Sequence, residues 1–273
     1  MDSSGSPRWA SGGYDVGRSG ARSTMGVFGS WVRLGAGLVY MALSFVVHAV
    51  VLLVLLPTRG LRIRSCNVYG WITGRVVTWL SGSRLEVQGR EHLDAARPAI
   101  YLSNHASVLD IFIGIQLGPM GTCGVAKKEI VYTPFFGQLY WLSGHLMLDR
   151  GNRDKAVAAM KRLEEKVSRY GLSIWMFPEG TRSRDGRLLP FKKGVYHLAV
   201  GTGLPVVPVV VKGAHKAWET GTLRLTGHPI EVEVLPAIDT SGWGERSSDD
   251  VIAELEQVYD AHLPEGQRRQ EAE

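Results

Sequence analysis

The stretch from Pro98 to Leu117 reads PAIYLSNHASVLDIFIGIQL and sets two kinds of element side by side. Pro98 to Ser103 is an apolar run of strand length, and Ala106 to Leu117 is an apolar run of helical length that follows it directly. A buried strand that passes into a helix is the building unit of α/β folds. The polar residues between the two elements therefore lie where α/β proteins keep their sites, at the end of a strand.

The same alternation continues on both sides of this unit. Further strands are predicted over Arg84–Gln88, Leu172–Phe177, Pro205–Val211 and Ile230–Leu235, and further helices over Asp154–Arg169, Gly194–Val200 and Asp250–Leu263. Strands that alternate with helices form a sheet covered on both faces. We therefore predict an α/β fold, a mixed sheet flanked by helices, with an N-terminal helical segment that is membrane-embedded or interfacial.

The N-terminal third contains the segments that favour a membrane. Leu34 to Leu56 carries no Asp, Glu, Lys or Arg, and as a helix it would be about 34 Å long, enough to cross a hydrocarbon core. Val68 to Leu80 places Trp71 and Trp79 around Arg75. It is too short to span, so we expect a helix either at the headgroup level or packed on the soluble domain.

These patterns divide the chain into four parts. Residues 1–25 are rich in Ser, Gly and Arg and are predicted to be a mobile tail, and residues 26–82 form a membrane-anchoring helical region. Residues 83–264 form the α/β domain, and residues 265–273 are charged and expected to fray. We expect a membrane location with the domain on the cytoplasmic side, although arginines balanced around the apolar run leave its path, spanning or re-entrant, open.

Charge and cysteine content narrow the function classes. Thirty-one basic residues against twenty-six acidic residues give a net charge of +5, which favours anionic lipid headgroups, phosphorylated substrates or nucleic acid. No run of five Lys or Arg and no zinc-finger or helix-turn-helix pattern is visible, so a nucleic-acid partner is not expected. The two cysteines are too few for a disulfide framework and suit a reducing compartment.

His105 and Asp110 form the first candidate site. Five residues along an ideal helix rotate a side chain by about 140°, so the two could not meet if both lay within one helix. His105 must therefore lie on the turn before the helix, where Asp110 can reach one imidazole nitrogen and fix the tautomer. The pair would then act as a general base. The alternative is a capping histidine beside an incidental acid.

The second candidate site follows the strand that ends at Phe177. Pro178 stops the strand, Gly180 lets the backbone turn towards a ligand, and donors suited to a phosphate follow in Thr181, Arg182 and Ser183. Glu179 would repel a phosphate. We expect it either to accept a hydrogen bond from a glycerol hydroxyl or to anchor the loop.

Together these patterns resemble the glycerolipid acyltransferase family, above all the 1-acylglycerol-3-phosphate acyltransferases. The resemblance covers about residues 83–211, and four blocks occur in the family's order: Asn104–Asp110, Gly144–Arg150, Phe177–Ser183 and Leu204–Val209. The third block matches without a substitution. Departures from the usual residues are mild and fall at Ala106, Val108 and Met147.

The resemblance implies roles for individual residues. His105 would be the catalytic base and Asp110 its orienting partner. The acceptor would be bound by Glu179, Gly180, Thr181 and Arg182, with Arg150 as a further phosphate contact. For Arg150 a local salt bridge is the alternative. Pro205 is implied in acyl-donor binding, although a structural proline at a strand edge is equally consistent with its position.

The resemblance also implies a reaction. A thioester, from acyl-CoA or an acyl carrier protein, is already activated, so the acceptor hydroxyl can attack it directly once His105 takes its proton. No metal and no cofactor are expected. The acceptor would be the free sn-2 hydroxyl of 1-acylglycerol 3-phosphate, giving phosphatidic acid for phospholipid biosynthesis. The alternatives are another lysolipid, glycerol 3-phosphate, or a lipid-binding membrane protein without catalysis.

Overall fold

The computed structural model describes residues 26–148 and 153–270, and it begins with two long helices. Helix α1 spans Val27–Val54 and helix α2 spans Arg59–Ser81. Helix α1 starts before the predicted apolar run, and it is long and apolar enough to cross a membrane. Helix α2 is ten residues longer than the segment predicted from its tryptophans, and it ends where Gly82 adopts a left-handed conformation, with φ of 77°.

Helix α1 packs on α2 through polar residues and leaves its apolar face outside. The Tyr40 and Thr73 hydroxyls are 3.2 Å apart, and those of Ser44 and Tyr69 are 2.9 Å apart. The opposite side of α1 exposes Leu38, Val39, Leu43, Val46, Val47, Val50 and Val54. A helix with a polar seam towards protein and an apolar stripe away from it suits a lipid environment.

Helix α1 also touches the α/β domain at two places along its length. Near its start, the Ser30 hydroxyl donates to the carbonyl of Leu225 and accepts from the Leu225 amide, at 3.3 and 3.2 Å. Further along, the rings of Phe45 and Phe135 meet edge to face at 5.6 Å. The helix therefore runs along the domain for much of its length.

The domain follows as alternating strands and helices. In chain order they are β1 Leu85–Gln88, α3 His92–Ala95, β2 Ile100–Ser103, α4 Leu109–Leu117, β3 Thr122–Lys127, α5 Phe136–Ser143, β4 Leu146–Leu148, α6 Arg153–Tyr170, β5 Ser173–Met176, α7 Gly194–Thr202, β6 Val206–Lys212, α8 Ala214–Ala217, β7 Ile230–Val234 and α9 Ser248–His262. Short 3₁₀ turns cover Lys128–Tyr132, Trp243–Glu245 and Glu265–Gln267.

The strands form one sheet in the order β1-β7-β6-β2-β5-β3-β4. Neighbours are parallel except β6 and β7, which are antiparallel. The predicted mixed sheet flanked by helices is thus confirmed, with β2 at its centre. Because β2 pairs with β5 on one side and β6 on the other, its carboxyl end is held from both sides.

Both faces of the sheet carry a hydrophobic core, as the alternation predicts. On one face, Ile100 and Leu102 of β2 pack with helices α6, α7 and α9. On the other face, Tyr101 packs with α4, α8 and Trp175. All four residues of β2 are buried, which explains why this strand reads as a continuous apolar run.

Helix α2 lies very close to α4, and two glycines permit this contact. A Cβ added at Gly74 would lie 2.4 Å from the carbonyl oxygen of Phe112, and one at Gly70 would lie 3.0 Å from the Cβ of Ile115. Larger residues would separate the helices. Of the two positions expected for the tryptophan segment, packing on the domain is therefore observed, and Trp71 and Trp79 remain exposed on the outer side.

The structure differs from the sequence-based expectation in several places. Helix α4 begins at Leu109 and not at Ala106, because residues 106–108 form the turn that carries the site. Strands β3 and β4 were not predicted. Residues 265–270 are docked and not frayed: Gln267 is buried, its side-chain carbonyl accepts from the Gly213 amide at 2.9 Å, and its main-chain carbonyl accepts from Leu188 at 2.8 Å. The predicted mobile tail, residues 1–25, lies outside the described residues.

Candidate active site

The site begins where β2 ends. The Asn104 side chain takes the place of a strand residue: its Nδ2 donates to the Val211 carbonyl at 2.9 Å, and its Oδ1 accepts from the Val211 amide at 2.7 Å. This pair of bonds extends the contact between β2 and β6 beyond Ser103, the last residue of the strand. The chain can then turn sharply at His105 while its starting point stays fixed.

His105 and Asp110 meet as their spacing predicts, with the histidine on the turn and the aspartate in the first turn of α4. The imidazole Nδ1 is 3.0 Å from Asp110 Oδ2, and the same oxygen accepts from the amides of Ala106 and Ser107 at 2.6 and 2.7 Å. An oxygen that accepts from Nδ1 fixes the tautomer with Nε2 free to accept. Asp110 therefore folds the turn and orients the imidazole at once.

The ring of His105 is also held by an aromatic neighbour. Phe177, directly after β5, stacks on the imidazole with ring centroids 4.1 Å apart and planes 17° from parallel. The histidine is largely buried, with 9% of its surface exposed. This contact joins the first candidate site to the second.

Glu179 anchors the loop, one of the two roles expected for it. Its Oε1 accepts from the His105 amide at 2.6 Å, and its Oε2 accepts from the Leu189 amide at 3.0 Å. In return, the His105 carbonyl accepts from the Ser183 amide at 2.8 Å. Burial raises the pKa of Glu179 to about 8, while the two amide donors act in the opposite direction and the charge of Asp110 adds a smaller increase.

The rest of the Phe177–Ser183 loop separates into buried and exposed parts. Gly180 has a φ of 74°, which allows the loop to turn. Ser183 is buried and committed to its own turn, because its hydroxyl donates to Asp185 at 2.8 Å and accepts from Gly186 at 3.1 Å. Thr181 and Arg182 point to the exterior. Of the three predicted phosphate donors, these two remain available beside His105.

A distant loop braces the same turn, and sequence reasoning missed it. The Ser107 hydroxyl donates to the Trp218 carbonyl at 2.8 Å. The Thr220 hydroxyl lies 3.3 Å from the Ala106 carbonyl and 3.4 Å from the Ser183 carbonyl. Nothing in the local sequence around Thr220 indicates this contact, because it depends on how the segment after α8 returns over the sheet.

One residue implied by the resemblance, Pro205, is not brought to this edge. Pro205 precedes β6, and its carbonyl accepts from the Ile100 amide at 2.9 Å, so it lies at the start of these parallel strands, whereas His105 follows the end of β2. Arg150 lies outside the described residues. The roles of both residues stay predictions.

The mixed sheet and the oriented histidine at the carboxyl end of its central strand define an acyltransferase domain. The family model described as Acyltransferase matches residues 84–212, from just before β1 to the end of β6. The matched region contains every strand but β7, together with both candidate sites.

Relatives extend the match over most of the chain. A 1-acyl-sn-glycerol-3-phosphate acyltransferase of Limnanthes douglasii is 45% identical over 83% of this chain and 80% of its own length. The Escherichia coli enzyme of that name is 36% identical over 72% of this chain and 79% of its own length. A crystal structure of the 1-acyl-sn-glycerophosphate (LPA) acyltransferase PlsC from Thermotoga maritima covers 84% of this chain and 95% of its own, with a TM-score of 0.63 and 25% identity. The chain belongs to the 1-acyl-sn-glycerol-3-phosphate acyltransferase family and is an acyltransferase.

Proposed function

We propose that this acyltransferase moves an acyl group from an acyl thioester to the free sn-2 hydroxyl of 1-acylglycerol 3-phosphate, giving phosphatidic acid. The single observation that carries the proposal is the oriented imidazole of His105 on a turn that is bonded to the loop exposing Arg182. Arg182 lies three residues after Glu179, which accepts a hydrogen bond from the His105 amide. A base beside a cation is what an acceptor with a hydroxyl and a phosphate requires. The names of the relatives support the same acceptor.

The proposed chemistry needs only one proton to move twice. His105 Nε2 takes the proton of the acceptor hydroxyl as its oxygen bonds to the thioester carbonyl carbon. The tetrahedral intermediate then collapses, the carbon–sulfur bond breaks, and the thiolate takes that proton from the imidazolium. Asp110 holds the ring through Nδ1 in both steps and stabilises its charged form. No enzyme nucleophile is needed, because the thioester is already activated.

Acceptor recognition is proposed to come from Thr181 and Arg182. A guanidinium can bind two oxygens of a phosphate at once, and a threonine hydroxyl can donate a further hydrogen bond. Gly180 would let the backbone approach the acceptor. Arg150 is proposed as an additional phosphate contact, on the strength of the family resemblance alone.

Glu179 is proposed to act by position and not by touching the acceptor. Both of its carboxyl oxygens accept hydrogen bonds from main-chain amides, at 2.6 and 3.0 Å. One of these amides belongs to His105 itself. A substitution at Glu179 should therefore displace the base without removing a substrate contact.

The helices indicate how the domain would meet its lipid substrate. The apolar stripe of α1 and the exposed Trp71 and Trp79 of α2 would enter the membrane, while the polar seam keeps α1 on the domain. Ser30 ties the start of α1 to Leu225 of the domain. We therefore propose that α1 does not cross the membrane but enters only the leaflet that faces the domain, a re-entrant path. The domain would then face the cytoplasm, where soluble acyl thioesters are found.

The test is an assay of the purified full chain with several acceptors and both donor types. Thiol release from acyl-CoA, and from acyl carrier protein, would be followed with lysophosphatidate, lysophosphatidylcholine or glycerol 3-phosphate as acceptor. We expect the highest kcat/KM with lysophosphatidate. A clear preference for another acceptor would contradict the proposed substrate, and the absence of thiol release with every acceptor would leave a lipid-binding protein.

A further inference from the structure

A cleft lies at the other end of α4 from His105. It has a volume of about 440 Å³ and runs between α2, the segment around α3, and the residues that follow α4. Its lining includes Val68, Trp71, Arg90, Leu117 and Met120. Since α4 has nine residues and rises about 1.5 Å per residue, about 13 Å separates the cleft from the proposed active site.

One wall of the cleft belongs to the face of α2 that is turned away from the domain. Val68 and Trp71 are about half exposed, at 49% and 48%, and they continue an exposed apolar stripe along α2 formed by Leu61, Ile72 and Trp79. A stripe of this kind with tryptophans suits the boundary between headgroups and acyl chains. The cleft therefore opens where a membrane lipid would be presented to it.

Most polar groups of the cleft already have partners. Asn67 binds both the Gly121 amide and the Thr122 carbonyl, each at 2.8 Å. Arg97 forms an ion pair with Asp94 at 3.2 Å. Arg90 differs from them: within the described residues its side chain forms no hydrogen bond and no ion pair, and it is exposed.

A second cation lies over Trp71, one of the residues that line the cleft. Arg75 lies over the ring of Trp71, with its guanidinium carbon 3.6 Å from the ring centroid, and it donates to the Trp71 carbonyl at 3.3 Å. In the described part of the chain no carboxylate pairs with Arg75. Burial, and after it the charge of Arg90, lowers the pKa of Arg75. Two cations that pair with no carboxylate of the described residues favour an anion from outside.

We propose that this cleft binds an anionic glycerophospholipid of the membrane, with the phosphate between Arg75 and Arg90 and the first part of an acyl chain along Val68, Trp71 and Met120. The site is separate from the acceptor site and would hold the domain in a fixed orientation on anionic membranes. It rests on the proposed membrane placement of α2, but not on acyl transfer. Charge selects the headgroup, and the apolar wall distinguishes a lipid from a free phosphate.

The experiment measures lipid binding to the purified full chain in neutral detergent, by fluorescence anisotropy of a labelled short-chain phosphatidylglycerol. Unlabelled phosphatidylglycerol should displace the probe, whereas phosphatidylcholine and inorganic phosphate should not at equal concentration. The double variant Arg75→Gln/Arg90→Gln should raise the Kd about 10- to 30-fold, from about fivefold for each arginine near a lipid phosphate. Met120→Trp fills the cleft without changing charge and should also weaken binding.

Two controls separate this site from general electrostatics and from the active site. Arg84→Gln/Arg224→Gln removes the same charge at exposed positions outside the cleft and should leave the Kd unchanged. Arg182→Gln, at the proposed acceptor site, should also leave the Kd for the labelled phosphatidylglycerol unchanged. Wild-type-like binding by the cleft variants, equal competition by phosphatidylcholine, equal competition by phosphate, or no probe binding at all would each overturn the proposal. Loss of acyl transfer alone would bear on the proposed function and not on this site.

Discussion

The turn at His105 and the exposed pair Thr181 and Arg182 are neighbours with opposite properties. The amide, carbonyl and Nδ1 of His105 are bound by Glu179, Ser183 and Asp110, respectively, and its ring is stacked on Phe177. Thr181 and Arg182 are exposed on the same loop. The base has to be in place before the substrate arrives, whereas phosphate ligands can close on the substrate when it binds. The two regions should therefore respond differently to substitution.

The largest expected effect is on turnover and comes from the turn at His105, which is the rigid region of the two. His105→Ala removes the base and should lower kcat about 10²- to 10⁴-fold, the usual contribution of general-base catalysis. Lysophosphatidate binding should remain nearly intact, because base catalysis acts on the transition state. Steady-state kinetics together with direct binding would measure both. A variant that keeps more than about a tenth of wild-type turnover, a loss of only about 1.4 kcal/mol, would contradict the role.

His197 offers a matched control for this substitution. It is exposed on α7, away from the turn, and contacts the ring of Tyr196. His197→Ala should keep wild-type kcat and KM within experimental error. Equal losses in both variants would indicate a general effect of removing a histidine.

The second expected effect is on acceptor affinity and comes from Thr181 and Arg182, which form the exposed region. Arg182→Ala should raise the acceptor KM about 10- to 100-fold, since a hydrogen bond to a charged group contributes about 1.5–3 kcal/mol. The loss in kcat should be equal or smaller, and the donor KM should change little. Kinetics with each substrate varied in turn would separate these parameters.

The neighbouring arginine is the control for Arg182. Arg184 is also exposed on this loop, but no feature of the sequence or structure assigns it a substrate contact. Arg184→Ala should leave the acceptor KM unchanged. If Arg182→Ala changed only the donor KM, the phosphate assignment would have to be withdrawn.

The rigid region also shows what sequence can and cannot predict. The position of His105 before the helix followed from helical geometry alone, because the pair with Asp110 could not form otherwise. The bonds from Asn104 to Val211 and from Thr220 to Ala106 join residues more than a hundred positions apart. They depend on which strands become neighbours, and no local pattern contains that information.

The missed and misjudged elements have similar physical reasons. Strand β4 has only three residues, and β3 contains a glycine and lies beside it at one edge of the sheet, so neither gives a strong apolar alternation. The C-terminal residues looked like a charged tail, yet Arg269 binds Asp260 and Glu256 of α9. Charge patterns predict exposure only when no partner lies within reach, and partners are set by the fold.

A third prediction tests whether Glu179 belongs to the rigid region or to the substrate. Glu179→Gln replaces one carboxyl oxygen, an acceptor, with an NH2 group that only donates, so one main-chain donor loses its partner. We expect a fall in kcat of about 3- to 10-fold, equivalent to one hydrogen bond, with the acceptor KM within about twofold. A rise in the acceptor KM with unchanged kcat would instead support direct acceptor binding by Glu179.

The same substitution predicts a pH dependence of stability. The folded-state pKa of Glu179 is about 8, above the ordinary value of 4.5, so between these values the native state holds a proton that the unfolded state has lost. Its stabilising contribution is therefore complete below about pH 4.5 and is lost as the pH rises through about 8. Relative to Glu179→Gln, the wild-type free energy of unfolding should fall by about 1.4 kcal/mol for each unit of pKa difference. Chemical denaturation of both proteins from pH 5 to about 8.5 would measure this difference. If the free energies of unfolding of the wild type and the variant changed in parallel with pH, the raised pKa of Glu179 would be contradicted.

The smallest effect is expected at Pro205, which lies in neither region. The family resemblance implies a role in acyl-donor binding, whereas the structure places Pro205 at the far end of β6, where its carbonyl accepts from Ile100. Pro205→Ala keeps that carbonyl, so if the role of the residue is structural, the donor KM should stay within about twofold and the cost should be a stability change of about 1 kcal/mol or less. Donor kinetics and thermal unfolding would separate the two roles. A donor KM raised about tenfold, about 1.4 kcal/mol, would show that acyl-donor binding extends to this edge of the sheet and that the site is larger than the His105 turn and its loop.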